Sequence, residues 1–341
     1  MKAMILAAGF GTRLRPITNL LPKPMVPLCN KPLIGWVADA LRAAGVTELI
    51  VNVHHLSEPL EEFLRDRYRG VTIHISREEE ILGTGGGVRR VRSLLEGEED
   101  FFLVNADTVQ DPPFARLRAE RRSIDALAAL TLRHPPENDR FTPVFLDEGR
   151  ISGFGSGSGS ALMFSGSHCI SSRIFRYLPE KEFSGIIDEA YEPAMQQNES
   201  IAGVVDDGFW YDIGTPQRYL QATASLLQRL TSGEPIPTGS SALGDSIVAS
   251  SADIRGLCER SAIGERTVIE GTVRDSAVWN DCRIGAEIVL ARCVVAHGVV
   301  LDGKGPFQGA VITPAQPDVV LQEGWRIENG LLIAPFEPPQ I

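Results

Sequence analysis

The residues best suited to chemistry crowd into the first 25 positions. Leu6-Ala7-Ala8-Gly9-Phe10-Gly11-Thr12-Arg13-Leu14-Arg15-Pro16 is followed by Leu21-Pro22-Lys23-Pro24-Met25. Gly9 and Gly11, lacking Cβ atoms, let the backbone turn sharply and come close to a phosphate chain. Successive N–H groups in such a turn make an anion-binding hollow. Arg13 adds a planar fork of donors matched to phosphate oxygens, and Lys23 adds a compact charge. The prolines pre-set the loop and so reduce the entropy lost when it orders around a ligand. A dinucleotide-binding turn fits less well. Leu14 stands where GxGxxG needs its third glycine, and Arg13 and Pro22-Lys23-Pro24 have no part in that motif. The chain has only five lysines (Lys2, Lys23, Lys31, Lys181 and Lys304), so one inside a motif stands out.

Further candidates lie downstream. Asp107 ends the apolar run Phe101-Phe102-Leu103-Val104-Asn105-Ala106-Asp107, and Asp212 sits in Phe209-Trp210-Tyr211-Asp212-Ile213-Gly214-Thr215-Pro216. Magnesium takes oxygen ligands, commonly one or two carboxylates plus substrate phosphates, and both aspartates suit it. A single strand-end aspartate more often caps a helix or a turn. Leu82-Gly83-Thr84-Gly85-Gly86-Gly87 opens a helix, and its glycines admit a flat ligand to the backbone. Asp188 and Glu189 suit either sugar hydroxyls or a helix cap. His54 and His55 have no partners at metal-ligand spacing and read as surface or capping residues.

These residues need a scaffold, and the hydrophobic pattern supplies one. Ala3–Ala7, Glu48–Val53, Val71–Ile75, Phe101–Asn105 and Ala126–Leu132 read as strands. Pro32–Ala44, Glu58–Arg67, Gly86–Leu95 and Pro113–Arg122 read as helices; in the first, Ile34, Val37, Ala38 and Leu41 share a face and Gly45 supplies a stop. The alternation predicts an α/β fold with a Rossmann-like, doubly wound, mostly parallel sheet over residues 1–230. Ligands bind such sheets at the carboxyl ends of the strands, where these motifs fall. Residues 231–242 have linker composition. Beyond them Ile263 and Ile269, then Val278, Ile284 and Leu290, recur every six residues, with a register slip between Ile269 and Val278. That period predicts a short left-handed parallel β-helix over 243–305, with 306–341 as a tail.

The formal net charge is −11 and the pI about 5.1, which argues against nucleic acid as a partner. Five scattered cysteines without a CxxC pair fit buried thiols in a reducing cytoplasm. No apolar run is long enough for a membrane helix, so the protein is expected to be cytoplasmic.

The glycine-arginine loop and its Pro-Lys-Pro segment resemble the signature of the sugar-1-phosphate nucleotidyltransferases, across residues 1–230. The resemblance implies transfer of a nucleotidyl group from a nucleoside triphosphate to a sugar 1-phosphate, with release of pyrophosphate. It assigns Leu6, Ala7, Ala8, Gly9, Gly11, Thr12 and Arg13 to the triphosphate, Thr84, Gly85 and Gly86 to the base, and catalysis to Arg13 and Lys23. It assigns Asn105, Ser165 and Gly166 to the sugar, and Mg2+ to Asp107 and Asp212. Ala106 stands where this family usually has glycine. The family's Glu-Lys-Pro lysine, which holds the sugar phosphate, is missing: Gly155-Ser156-Gly157-Ser158-Gly159-Ser160 occupies its place, so Arg140 or Arg133 is expected to take over. GTP with mannose 1-phosphate is the first expectation, because β-helix tails accompany similar guanylyltransferases. N-acetylmuramic acid 1-phosphate uridylyltransferases and heptose-1-phosphate guanylyltransferases are alternatives. So is a non-catalytic nucleotide-sugar-binding homologue. An acyltransferase in the β-helix fits less well, with His297 its only histidine. The β-helix is also a candidate surface for homo-oligomers.

Overall fold

The structure is a computed structural model describing residues 1–136 and 141–336. The chain forms two compact units: Met1–Phe10 with Ile34–Tyr211, and Gly11–Leu33 with Asp212–Ile341.

The first unit is built on a nine-stranded sheet. Its order is Thr72–Arg77, Glu48–Val53, Lys2–Leu6, Asp100–Asn105, Ser160–Ser171, Ala128–Arg133, Ile201–Val205, Arg150–Phe154 and Val144–Asp147. The first four strands run parallel. The order reverses between Lys2–Leu6 and Asp100–Asn105, creating a switch point at their carboxyl ends. Ala3, Met4 and Ile5 are fully buried, as the near-continuous apolar reading of a two-sided strand requires. Helices Leu33–Ala43, Glu58–Arg67 and Phe114–Ser123 lie where the periodicity places them. The long strand Ser160–Ser171 is antiparallel to its neighbours. It follows the uncharged Gly155–Ser160 stretch, which folds on itself: Ser152 Oγ donates to Ser158 O at 2.6 Å and accepts from Ser158 N–H at 3.0 Å.

The second unit contains a β-helix. Three stacks of parallel strands form its faces, and one runs through Ile247, Ala262, Ala277, Val294 and Val311. The slip seen in the six-residue period has a geometric origin. Early coils advance 15 residues, so that Arg260 meets Asp275, whereas a later one advances 17, so that Ser276 meets Cys293. The short coils reach their third face early, with Val273 in the position that Leu290 fills in the next turn. Ile263, Ile269, Val273, Val278, Ile284 and Leu290 form one buried column system. One face is closed at both ends by antiparallel strands, Ser240–Leu243 and Leu331–Pro335, which protects open edges from further pairing. No helix among the described residues is long and apolar enough to cross a membrane.

Candidate active site

In the first unit, the backbone after Lys2–Leu6 is fixed by a buried polar relay. Ala7 N–H donates to Asn52 Oδ1 at 2.7 Å, Asn52 Nδ2 donates to Glu78 Oε1 at 2.8 Å, and Leu82 N–H donates to Glu78 Oε2 at 2.9 Å. Leu6 O accepts from Ala106 N–H at 3.0 Å. The relay joins three loops at the switch point. Asn52 and Glu78 carry no motif, and the only signal for them in the sequence is a polar residue breaking the apolar run Leu49-Ile50-Val51-Asn52-Val53. A Cβ at Gly9 would touch nothing within 4 Å, so this glycine leaves backbone open to an approaching ligand rather than to a packed neighbour. His54 accepts a structural role, with Nδ1 2.8 Å from Glu78 O and its ring against Phe10.

Gly83–Arg90 is a helix in which Gly83, Gly85 and Gly86 pack against the segment Glu182–Gly185. Gly85 and Gly86 N–H groups donate to Ser184 O at 2.8 and 3.3 Å, and Thr84 Oγ1 accepts from Ile186 N–H at 2.9 Å. Asn105 ends its strand beside Gly166, where an added Cβ would lie 3.5 Å from Asn105 Cβ. Ser165 O accepts from Trp210 Nε1 at 2.7 Å. Glu189 is held by Gly185 N–H and by an ion pair with Lys181, which lowers its pKa below the usual carboxylate range. Asp188 instead lines a cavity with Phe154, Met163, Phe164 and Ile187. Arg140 lies outside the described residues.

The second unit brings Arg13, Lys23 and Asp212 together. Gly11, at φ 62°, turns the chain into the short helix Thr12–Leu14, and a side chain there would press on Thr18 and Lys23. Asp212 Oδ1 is 3.8 Å from Lys23 Nζ, and Oδ2 is 3.9 Å from Arg13 Nη2. Arg218 adds a third cation, with Nη1 2.9 Å from Oδ2. Thr215 caps the helix Pro216–Thr231, with Pro216 at its first position. That start places Arg218 in the first turn, facing back to Asp212. Lys23 is nearly buried at 8% side-chain exposure, whereas Arg13 is 67% exposed.

The lysine loop is held from behind. Residues 27–32 form a hairpin turning at Cys29 and Asn30, both with positive φ as a two-residue hairpin turn demands. Tyr219 Oη donates to Pro27 O at 2.5 Å and accepts from Trp279 Nε1 at 3.1 Å. Asn30 Nδ2 donates to Ile263 O at 2.8 Å. The β-helix thus supports the segment that carries Lys23.

A chain with net charge −11 brings three cations from separate segments to one carboxylate here, donors of the kind that suit a polyanion. The donors also fit magnesium. Asp107 in the first unit and Asp212 in the second each offer hard carboxylate oxygens of the type magnesium takes. Among the described residues there is no cluster of three or more acidic, histidine or cysteine side chains of the kind an all-protein metal cage needs.

Comparison with known proteins agrees with this chemistry. The nucleotidyl transferase family model matches residues 2–229. The chain is 31% identical to a probable mannose-1-phosphate guanylyltransferase 3 of Oryza sativa subsp. japonica over 326 residues, covering 92% of this chain and 86% of that protein. It is 32% identical to the mannose-1-phosphate guanylyltransferase catalytic subunit beta of Danio rerio over 268 residues, with 76% and 74% covered. HddC from Yersinia pseudotuberculosis complexed with GMP-PN superposes with a TM-score of 0.56 at 20% identity, covering 66% of this chain and 99% of that one. A UDP-glucose pyrophosphorylase complexed with UDP-glucose gives 0.57 at 21%, covering 67% and 98%; both likenesses bear on the fold. The chain belongs to the nucleotidyl transferase family, as a sugar-1-phosphate nucleotidyltransferase similar to the mannose-1-phosphate guanylyltransferases.

Proposed function

We propose that the chain transfers the guanylyl group of GTP to mannose 1-phosphate, releasing pyrophosphate. The observation that carries this reading is the convergence of Arg13, Lys23 and Arg218 on Asp212. The choice of GTP and mannose 1-phosphate draws on the names of the relatives above.

In this reading the attacking group is a phosphate monoester, whose second pKa of about 6 leaves it ionised at neutral pH. No general base is required. The obstacle is repulsion between two anions, so positioning and charge screening dominate. Gly9, with Leu6, Ala7 and Ala8, presents backbone to the triphosphate, and Gly11, Thr12 and Arg13 are assigned to the same ligand. Lys23, nearly buried and steered by Asp212, stabilises charge on the α-phosphate as it builds up. Thr84, Gly85 and Gly86 wall the base. Because the Gly85 and Gly86 N–H groups are engaged with Ser184 O, these glycines contribute shape rather than donation, whereas Thr84 Oγ1 accepts from Ile186 N–H and keeps its O–H to donate. Asn105, Ser165 and Gly166 face the sugar. Asp107 and Asp212 would hold magnesium, which when bound supplies screening of the phosphate oxygens.

Pyrophosphate release, measured with each of the four common nucleoside triphosphates against a panel of sugar 1-phosphates, tests the proposal. The panel contains mannose, glucose, N-acetylmuramic acid and heptose 1-phosphates. GTP with mannose 1-phosphate is expected to give the highest kcat/KM. A preference for UTP with N-acetylmuramic acid 1-phosphate would overturn the substrate assignment. No release with any pair would make the chain a binding homologue.

A further inference from the structure

Arg133 ends the strand Ala128–Arg133. That strand and Asp100–Asn105 are both antiparallel to Ser160–Ser171, so they run the same way and end at the same edge of the sheet. Its guanidinium carbon lies 5.0 Å from the Trp210 ring centroid, in cation–π contact. Nη1 donates to Gly208 O at 3.3 Å, while Nε is buried without a hydrogen-bond partner among the described residues. Among the described residues this arginine forms no ion pair. The nearby Asp207 is occupied by His134, through the backbone N–H at 2.9 Å and the ring at 2.8 Å.

Several other cations among the described residues of this unit are committed. Arg77, also at a strand end, is paired with Glu61 through Nε and Nη2. Lys2 is paired with Glu48 and Glu98, and Lys181 with Glu189. Arg133 is different, and its surroundings are shaped for a ligand. It stands opposite Met163 in the sheet, and the Trp210 beneath it is bonded to Ser165 O. Met163 and Phe164 line the cavity that Asp188 also faces, a space of about 370 Å³.

We infer that Arg133 holds the phosphate of the incoming sugar 1-phosphate at the rim of this cavity, with Trp210 fixing the plane of its guanidinium. Stacking on one face leaves the edge of the fork, where a phosphate accepts two parallel hydrogen bonds. The inference rests on the reading that the chain binds a sugar 1-phosphate.

Steady-state kinetics with the sugar 1-phosphate of the panel that the wild type uses fastest test it. Arg133→Ala is expected to raise KM for that sugar phosphate about 10- to 100-fold, with KM for the triphosphate unchanged. Arg133→Lys, which keeps the charge but loses the fork, is expected to fall between, and it stands in if the alanine variant does not fold. Trp210→Phe, which keeps a weaker aromatic face, is expected to shift the same KM by less. Unchanged KM values, or an equal rise in both, would overturn the assignment; a purely structural arginine would not separate the two substrates. Failure of the wild type on every sugar phosphate would instead overturn the underlying reading, and the role of Arg133 with it.

Discussion

Two aspartates in this molecule each collect three cations, and they do so for opposite ends. Asp100 begins the strand Asp100–Asn105, with its side chain fully buried. Arg118, Arg121 and Arg122 reach it at 2.9, 3.2 and 2.8 Å. All three come from one face of the helix Phe114–Ser123, and Glu99 takes further donors of Arg121 and Arg122. Asp212 has one tight partner, Arg218, and two long contacts to Arg13 and Lys23, drawn from separate segments. The charges are similar but the distances differ. A cluster closed by short bonds and a second acid is a clamp on the fold. A cluster drawn at longer range from separate segments brings positive charge to the loops proposed to meet the triphosphate.

That contrast can be broken by substitution. Asp100→Ala leaves the buried Arg121 with only the exposed Glu99 and is expected to cost about 3–5 kcal/mol of stability. Urea unfolding measures this, and the remaining folded protein should keep its turnover; loss of turnover without loss of stability would erase the distinction. Lys23→Ala is expected to raise the catalytic barrier by about 2.7–4 kcal/mol, roughly 10²–10³ in kcat, with the melting temperature held. Near-normal turnover would remove Lys23 from the mechanism. Tyr219→Phe removes the hydroxyl between Pro27 and Trp279. One hydrogen bond contributes about 0.5–1.5 kcal/mol, so kcat is expected to fall about 2- to 10-fold. In a Lys23→Ala background the same change should cost nothing more, because Tyr219 acts by positioning the lysine loop. Equal losses in both backgrounds would make its effect independent of Lys23.

The sequence made the parallel core legible because its strands are short apolar runs separated by amphipathic helices. Glu48–Val53 and Glu58–Arg67 match their predicted bounds. The Arg13, Lys23 and Asp212 group was legible through residue type, since the chain spends few lysines. Ser160–Ser171 was not, because its small polar residues mask the alternation of a strand; its burial comes from neighbours on both sides. Arg218 and Trp210 were missed as site residues for a related reason. Each gains its role from a partner distant in sequence or placed by a helix start, which no local pattern records. The 15-residue coil defeated a six-residue template, since a shortened corner shifts every later position.

The cluster at Asp212, not the one at Asp100, is expected to bind the nucleotide. Calorimetric titration of GTP into the wild type and into an Arg13→Ala, Lys23→Ala double variant tests it most directly. Loss of two charge-assisted contacts is expected to weaken binding by on the order of 100-fold at an unchanged melting temperature. Equal affinity in the two proteins would contradict the account.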